Sequence, residues 1–362
     1  MERLCADIAV CRAFAAERDA EIPGPVDSIF LGGGTPSLLP PEELKKLFFI
    51  LRNEFEVTPA AEITVECAPG TLTDQIIQTM VTSGVNRVSL GVQSFVDKEA
   101  ASVARLHTRE KTLSDIKRLR TAGISNINVD LIAGLPHQTP RSWSDSLEQT
   151  IATGAPHVSI YMLEVDEDSR LGSELIAGGT KYHAHFVPDD DLTAEFYETA
   201  CERLNADGVE QYEISNFART GFESRHNLKY WTRQPYLGFG VDAHSMLPAS
   251  APLRAESLRF ATTDSFDKFF ISAETQTTPV KKEQALEESF FLGLRLNRGV
   301  SLSQLRAQFG TQIDAYNTII TEMIDNGLLV LVEDILKLTP RGRLLSNEVF
   351  EKFILHQQFI AL

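Results

Sequence analysis

The chain has 362 residues, 43% hydrophobic and 23% charged, with a formal net charge of −16. That length accommodates one large domain and a smaller one, and the acidic balance excludes a phosphate-tracking nucleic-acid role, which rests on clustered Lys and Arg. No apolar run reaches a transmembrane length, and residues 1–7 lack the basic, apolar and small order of a signal peptide. Cys5, Cys11, Cys67 and Cys201 follow no pairing pattern, which reads as a reducing, cytoplasmic setting without disulfides.

Residues 2–18 read as a helix with Leu4, Ile8, Cys11 and Ala15 on one face. They look like the interior of a helix rather than its natural start. Val26 to Leu31 is an apolar run cut off by Gly32, Gly33 and Gly34, the pattern of a buried strand. Three glycines let backbone N–H groups face a small ligand, although a plain strand-to-helix turn reads the same way. A helix over 41–54 follows. Strands at 62–67, 87–92, 126–132 and 157–163 then alternate with helices at 73–83, 110–122 and 141–153. A stretch rich in Asp and Gly runs to Pro188. A helix at 191–207 and a strand near 209–214 complete the series. Gly84, Gly123, Gly154 and Gly208 close helices in the manner of a left-handed C-cap. Repeated β-α units imply parallel strands with right-handed crossovers, in a doubly wound sheet or a (β/α) barrel. In either, ligands sit at the C-terminal strand ends.

The pattern changes after residue 246. Residues 247–282 have little periodicity and read as a linker between a barrel with its extension, 1–246, and a C-terminal unit, 283–362. That unit shows helices at 283–296, 301–309 and 312–326, a hairpin and a last helix, a winged-helix-like α+β layout. From Glu283 onward it carries 7 Lys and Arg against 10 Asp and Glu, so it reads as a structural or protein-contact module rather than a groove reader.

Polar residues recur towards the strand ends: Gly32 to Thr35, Glu66, Gln93 and, near the end of the fifth strand, Glu164, while the fourth strand carries Asp130 and is followed by Gly134-Leu135-Pro136. Phe30-Leu-Gly-Gly-Gly-Thr-Pro-Ser37 resembles the S-adenosylmethionine-binding segment of radical SAM proteins, specifically those related to oxygen-independent coproporphyrinogen III oxidase. The resemblance continues through Val65-Glu-Cys-Ala-Pro69, Asn86 to Phe95, Arg105-Leu-His107 and Asn128 to Gln138, and it spans nearly the whole chain in order. It implies a partial (β/α) radical-SAM barrel lacking its first strand. It also implies that Gly33, Gly34, Thr35, Glu66, Gln93, Arg105 and Asp130 line an S-adenosylmethionine site, with Arg105 on the methionine carboxylate.

Gln211 to Ala218, His226-Asn-Leu-Lys-Tyr-Trp231 and Tyr236-Leu-Gly-Phe-Gly240 resemble the haem-chaperone branch of that superfamily. The resemblance implies that His226, Asn227, Tyr230 and Trp231 hold haem, with His226 a possible iron ligand. Imidazole is a common axial ligand, and aromatics suit a flat apolar macrocycle. A structural His–aromatic cluster is the alternative for the same residues. His244 is a second candidate ligand, and His183 and His185 read as solvated. The family's Cys-x-x-x-Cys-x-x-Cys motif, which holds a [4Fe–4S] cluster, does not occur in this sequence. That departure is expected of either a truncated start or a degenerate chain, and no radical chemistry is expected of the chain as written. The leading expectation is a haem-binding chaperone that transfers haem to an acceptor protein. The alternatives are the porphyrin-forming oxidase and an interaction protein with vestigial ligand sites.

Overall fold

The computed structural model describes residues 1–164, 174, 184–250, 255–271 and 275–355. Seven strands form the main sheet, in the order β1–β2–β3–β4–β5–β7–β6. They are β1 (Val26–Leu31), β2 (Val57–Cys67), β3 (Arg87–Gln93), β4 (Asn126–Ala133), β5 (His157–Met162), β6 (Glu210–Gln211) and β7 (Asn216–Ala218). From β2 to β5 neighbours pair in parallel, as the β-α repeat requires. The single strand expected near 209–214 is instead a short antiparallel pair, β6 and β7, and β7 runs antiparallel to β5. Too few residues separate these two strands for a parallel crossover.

The helices are built as the sequence implies. Thr73 caps its helix by accepting from the Ile76 N–H at 3.1 Å, and Gly84, Gly123, Gly154 and Gly208 all have positive φ. Between β3 and β4 the break in the helical pattern is filled by Asp97–Ser102, ahead of Arg109–Thr121.

The chain divides into two compact units. One comprises residues 28–45 and 60–224, and the other residues 1–27, 46–59 and 225–362. Residues 247–282 differ from the linker expected of them. They contribute to a three-stranded antiparallel sheet of β8 (His244–Pro248), β9 (Ser257–Thr262) and β10 (Thr275–Val280). Leu247 and Phe260 pack with Ala15 and Ala20 from the N-terminal segment in one buried cluster. The apolar partners of these strands lie more than 200 residues away in sequence, so no local period reveals them. Beyond residue 282, β11 (Val300–Ser301), β13 (Ile335–Leu338) and β12 (Leu329–Val332) form a small sheet in that order. Helices Lys282–Leu294, Leu302–Phe309 and Asn317–Asp325 accompany it. The helix expected over 312–326 begins as a 3-10 turn, Gly310–Tyr316.

Candidate functional site

The strand ends of the main sheet bring most of the expected residues together. Gly33 and Gly34 have φ of +78° and +84°, a region that side chains with a Cβ avoid. A Cβ at either would meet nothing within 4 Å, so the turn borders open space. Gly32 is needed for a different reason: a Cβ there would stand 2.7 Å from Phe30 Cε1 and 3.1 Å from the Glu66 carboxyl. That closeness lets the Gly33 N–H donate to Glu66 Oε2 at 3.1 Å. Thr35 leads into the 3-10 turn Pro36–Leu38, where Ser37 and Thr71 hydroxyls meet at 2.6 Å.

Gln93 closes β3 with φ +66°, beside a register shift between Gly91 and Gln93. A non-glycine residue in the left-handed region stores strain of about 1–2 kcal/mol, and such strain clusters at functional sites. The bulge aims the Gln93 side chain back over β3: a Cβ at Gly91 would stand 3.2 Å from Gln93 Nε2 and 3.9 Å from Arg105 Nη2. Gly91 therefore leaves room for both groups. His107 Nε2 contacts Val92 O at 3.1 Å. Burial lowers its pKa, with the Arg105 charge adding to the shift.

Alternation along the strands explains the rest. Along β3, β4 and β5 one alternating set of residues is apolar and fully buried: Val88, Leu90, Val129, Leu131, Val158 and Ile160. Polar residues between them register side by side. Glu66 pairs with Ser89, Ser89 with Asn128, and Asn128 with His157; one step on, Gly91 pairs with Asp130 and Asp130 with Ser159. One face of the sheet is thus a polar ladder leading to Asp130. Ser89 Oγ donates to Asp130 Oδ2 at 3.0 Å, and Asn128 Nδ2 donates to Oδ1 at 2.6 Å. Burial raises the Asp130 carboxyl, while bonds from Ser159, Ser89 and Asn128 pull it back. Burial also raises Glu66, reinforced by the charge of Asp130 and opposed by the Gly33 N–H. Two half-buried carboxyls, on the strands either side of β3, make an electronegative mouth suited to hydroxyl and amino groups.

The expected haem residues lie on a short helix, Arg225–Trp231. His226 Nε2 contacts Tyr230 OH at 3.1 Å, and their rings meet edge-on at 5.2 Å. Tyr236 packs on Tyr230 at 4.7 Å. Burial pushes the Tyr230 phenol up to about 12, with Tyr236 adding to it. Trp231 meets Tyr230 at 6.4 Å between ring centroids, and its ring also faces away from His226. Its ring lies under the Arg295 guanidinium at 4.2 Å and, with Gly293, Val300 and Leu305, lines a cavity of about 510 Å³. Helical geometry accounts for the split, since His226 and Tyr230 are four residues apart on one face and Trp231 is one residue further round. Arg233 anchors the end of this segment, donating to buried Glu288 at 2.7 Å and to Glu256 at 3.2 Å. Lys229 pairs with Asp27 at 2.7 Å. His244 is exposed, 3.6 Å from Asp242. His185 and Glu164 are exposed, and His183 lies outside the described residues.

A radical SAM superfamily model matches residues 12–150, and a HemN C-terminal domain model matches residues 280–345. The protein named heme chaperone HemW of Bacillus subtilis (strain 168) is 33% identical over 329 residues, covering 90% of this chain and 85% of its own length. This chain belongs to the HemW family of the radical SAM superfamily. The HemW of Escherichia coli (strain K12) is 30% identical, covering 91% of this chain and 84% of its own length. The structure of coproporphyrinogen III oxidase (HemN) from Escherichia coli aligns with a TM-score of 0.81 over 98% of this chain and 82% of that one. At 20% identity it shows a shared fold alone. The α/β architecture expected from the strand pattern is therefore that of the radical SAM fold.

Family membership implies S-adenosylmethionine and an iron–sulfur cluster. The four cysteines of this chain do not fit a cluster. Cys67 and Cys11 are buried, and among the described residues no three His, Cys, Asp or Glu side chains are grouped to hold a metal ion. Burial pushes the Cys67 thiol up to about 12, which removes the thiolate that iron requires. Iodoacetamide at about pH 8, near an ordinary thiol pKa, is accordingly expected to leave Cys67 unlabelled in the native protein and to reach it in denaturant. Peptide mass mapping checks this. Among the described residues no helix is long and apolar enough to cross a membrane.

The sequence alone did not single out Ser89, Asn128, His157, Ser159 and Tyr212. The available signal was polar alternation inside strands that otherwise read as fully buried, as in Arg87-Val-Ser-Leu and His157-Val-Ser-Ile. A buried polar residue at every second position must be satisfied by a neighbour on the same face.

Proposed function

We propose that this protein binds haem on the His226 face of helix Arg225–Trp231 and hands it to an acceptor protein, while the strand ends around Gly33 and Asp130 hold S-adenosylmethionine. What carries the haem reading is the box of His226, Tyr230 and Tyr236, found in a chain whose relatives are named heme chaperones. His226 offers a half-buried imidazole. Its Nε2 is kept in place by Tyr230, whose phenol stays neutral at physiological pH and so does not compete as a tyrosinate ligand. Tyr230 and Tyr236 supply apolar faces for a macrocycle. Asn227 stands on the same turn. Handing cargo on requires a site that both binds and releases, and a half-buried surface suits that better than a sealed pocket.

For S-adenosylmethionine, the open space over Gly33 and Gly34 accommodates the methionyl part, Thr35 borders it, and Arg105 provides a planar cation for a carboxylate. Gln93, Glu66 and Asp130 offer amide and carboxylate groups for the amino group and ribose. Bound S-adenosylmethionine supplies an activated sulfonium. These side chains only bind and orient it, and the cysteines present give no ground for a step beyond binding.

Haem titration followed by the Soret band tests the reading. His226→Ala is expected to weaken binding about tenfold or more, a loss of about 1.4 kcal/mol per factor of ten, with the folded far-UV spectrum retained. Unchanged affinity in the variant would remove His226 from the site. Binding of neither haem nor S-adenosylmethionine by the wild type would favour an interaction protein with vestigial sites.

A further inference from the structure

We infer that His157 is a positioning residue for Asp130, acting through a one-way chain of hydrogen bonds that starts at the main chain of Ser224 and passes through Tyr212, His157 and Asn128. The inference rests on the reading of the strand ends as an S-adenosylmethionine site.

The direction of the chain follows from the groups that compose it. The Ser224 N–H can only donate, and it does so to Tyr212 OH at 3.2 Å. At the far end the Asp130 carboxylate takes the Asn128 NH2, so Asn128 Oδ1 faces His157 Nδ1 and the Tyr212 O–H donates to His157 Nε2 at 2.9 Å. An accepting Nε2 places the imidazole proton on Nδ1, which donates to Asn128 Oδ1 at 2.7 Å. Burial, together with the nearby Arg87 charge, holds His157 neutral, so this single tautomer persists. With its oxygen committed to His157, the Asn128 amide presents its NH2 to Asp130 Oδ1 at 2.6 Å and to Ser89 Oγ at 2.7 Å. Ser89 then donates to Asp130 Oδ2 at 3.0 Å. Both carboxylate oxygens are thereby fixed.

A flipped Asn128 would set its oxygen against the Asp130 carboxylate and its NH2 against the His157 N–H, which is unfavourable at both ends. His157 is fully buried, and Asn128 and Ser89 are 3% and 6% exposed, so water does not substitute for the missing partners. The first donor is a backbone group that cannot rotate away. Asp130 keeps accepting capacity for a ligand after these bonds are made.

A merely structural role for His157 would affect folding and leave the Asp130–ligand interaction alone. A double-mutant cycle separates the two. His157→Gln and Tyr212→Phe are made singly and each with Asp130→Asn, and S-adenosylmethionine affinity is measured by calorimetry beside urea unfolding. In the wild-type background each substitution is expected to weaken affinity about threefold to tenfold, and in the Asp130→Asn background to weaken it no further. Urea unfolding checks that each variant is folded under the conditions of the titration. Affinity losses that add fully to that of Asp130→Asn, or unchanged affinity in the folded Tyr212→Phe protein, would overturn the inference. A wild type that does not bind S-adenosylmethionine, or an Asp130→Asn variant that binds it undiminished, would instead defeat the site reading, and the inference with it.

Discussion

Asn128→Leu is expected to be among the most damaging single substitutions in this protein. Leucine is close in volume, so the cost arises from polar partners left without bonds. The His157 Nδ1–H loses its acceptor, and Asp130 Oδ1 loses its donor at 2.6 Å. Each orphaned buried group costs about 1–3 kcal/mol, and more when charged, so the sum is about 2–6 kcal/mol. Ser159 Oγ lies 2.9 Å from Asn128 Nδ2 and donates to Asn216 Oδ1 at 2.8 Å, so the disturbance extends along the sheet to β7. Urea unfolding followed by far-UV circular dichroism reads the loss, and a cost below about 1 kcal/mol would mean that the ladder relaxes or admits water. Leu131→Ala, on the opposite face of the same strand, serves as the comparison. Its cost is the cavity and transfer penalty of a buried leucine, about 2–5 kcal/mol. The two faces of β4 thus carry similar stability by different physics.

That division explains what the sequence could and could not show. The β-α rhythm, the helix caps and the glycine turn are local. Each is written within a few residues, and Val26–Leu31, Pro41–Glu54 and Arg87–Gln93 fall close to where the periodicity places them. Glu66 and Gln93 were singled out because each sits where a strand stops, whereas Asp130 lies within β4, ahead of its end at Ala133. The polar ladder was not, because Ser89 or His157 is ambiguous alone and becomes meaningful only through register with the next strand. The sheet within residues 244–280 was hidden for the same reason: its packing partners, Ala15 and Ala20, are remote in sequence. Trp231 was grouped with His226 because they share a motif, yet helical phase turns it toward Arg295. A motif gives neighbours along the chain, and the period of the element decides which of them share a face.

The glycines of Tyr236-Leu-Gly-Phe-Gly240 supply a second large expected effect, and they divide the motif sharply. Gly238 lies against β8: its N–H donates to Ser245 Oγ at 2.9 Å, and a Cβ would stand 2.2 Å from His244 O. The clash is with backbone, so no side-chain rotation relieves it, and Gly238→Ala must push the segment away from β8. Tyr236 exchanges backbone hydrogen bonds of 2.9 Å with Met246 two residues earlier, and this pairing holds its ring edge-on to Tyr230. Gly238→Ala is therefore expected to weaken haem binding about tenfold, the equivalent of 1.4 kcal/mol, although no residue of the Arg225–Trp231 helix is altered. Gly240 has φ +122° with nothing within 4 Å of a Cβ, so Gly240→Ala costs only backbone strain, about 1–3 kcal/mol, and is expected to leave haem affinity within about twofold. Soret titrations of the two variants, read beside their unfolding midpoints, decide the matter. Equal haem affinity in both would show that the position of Tyr236 does not shape the His226 box, and the aromatic contribution would then rest on Tyr230 alone.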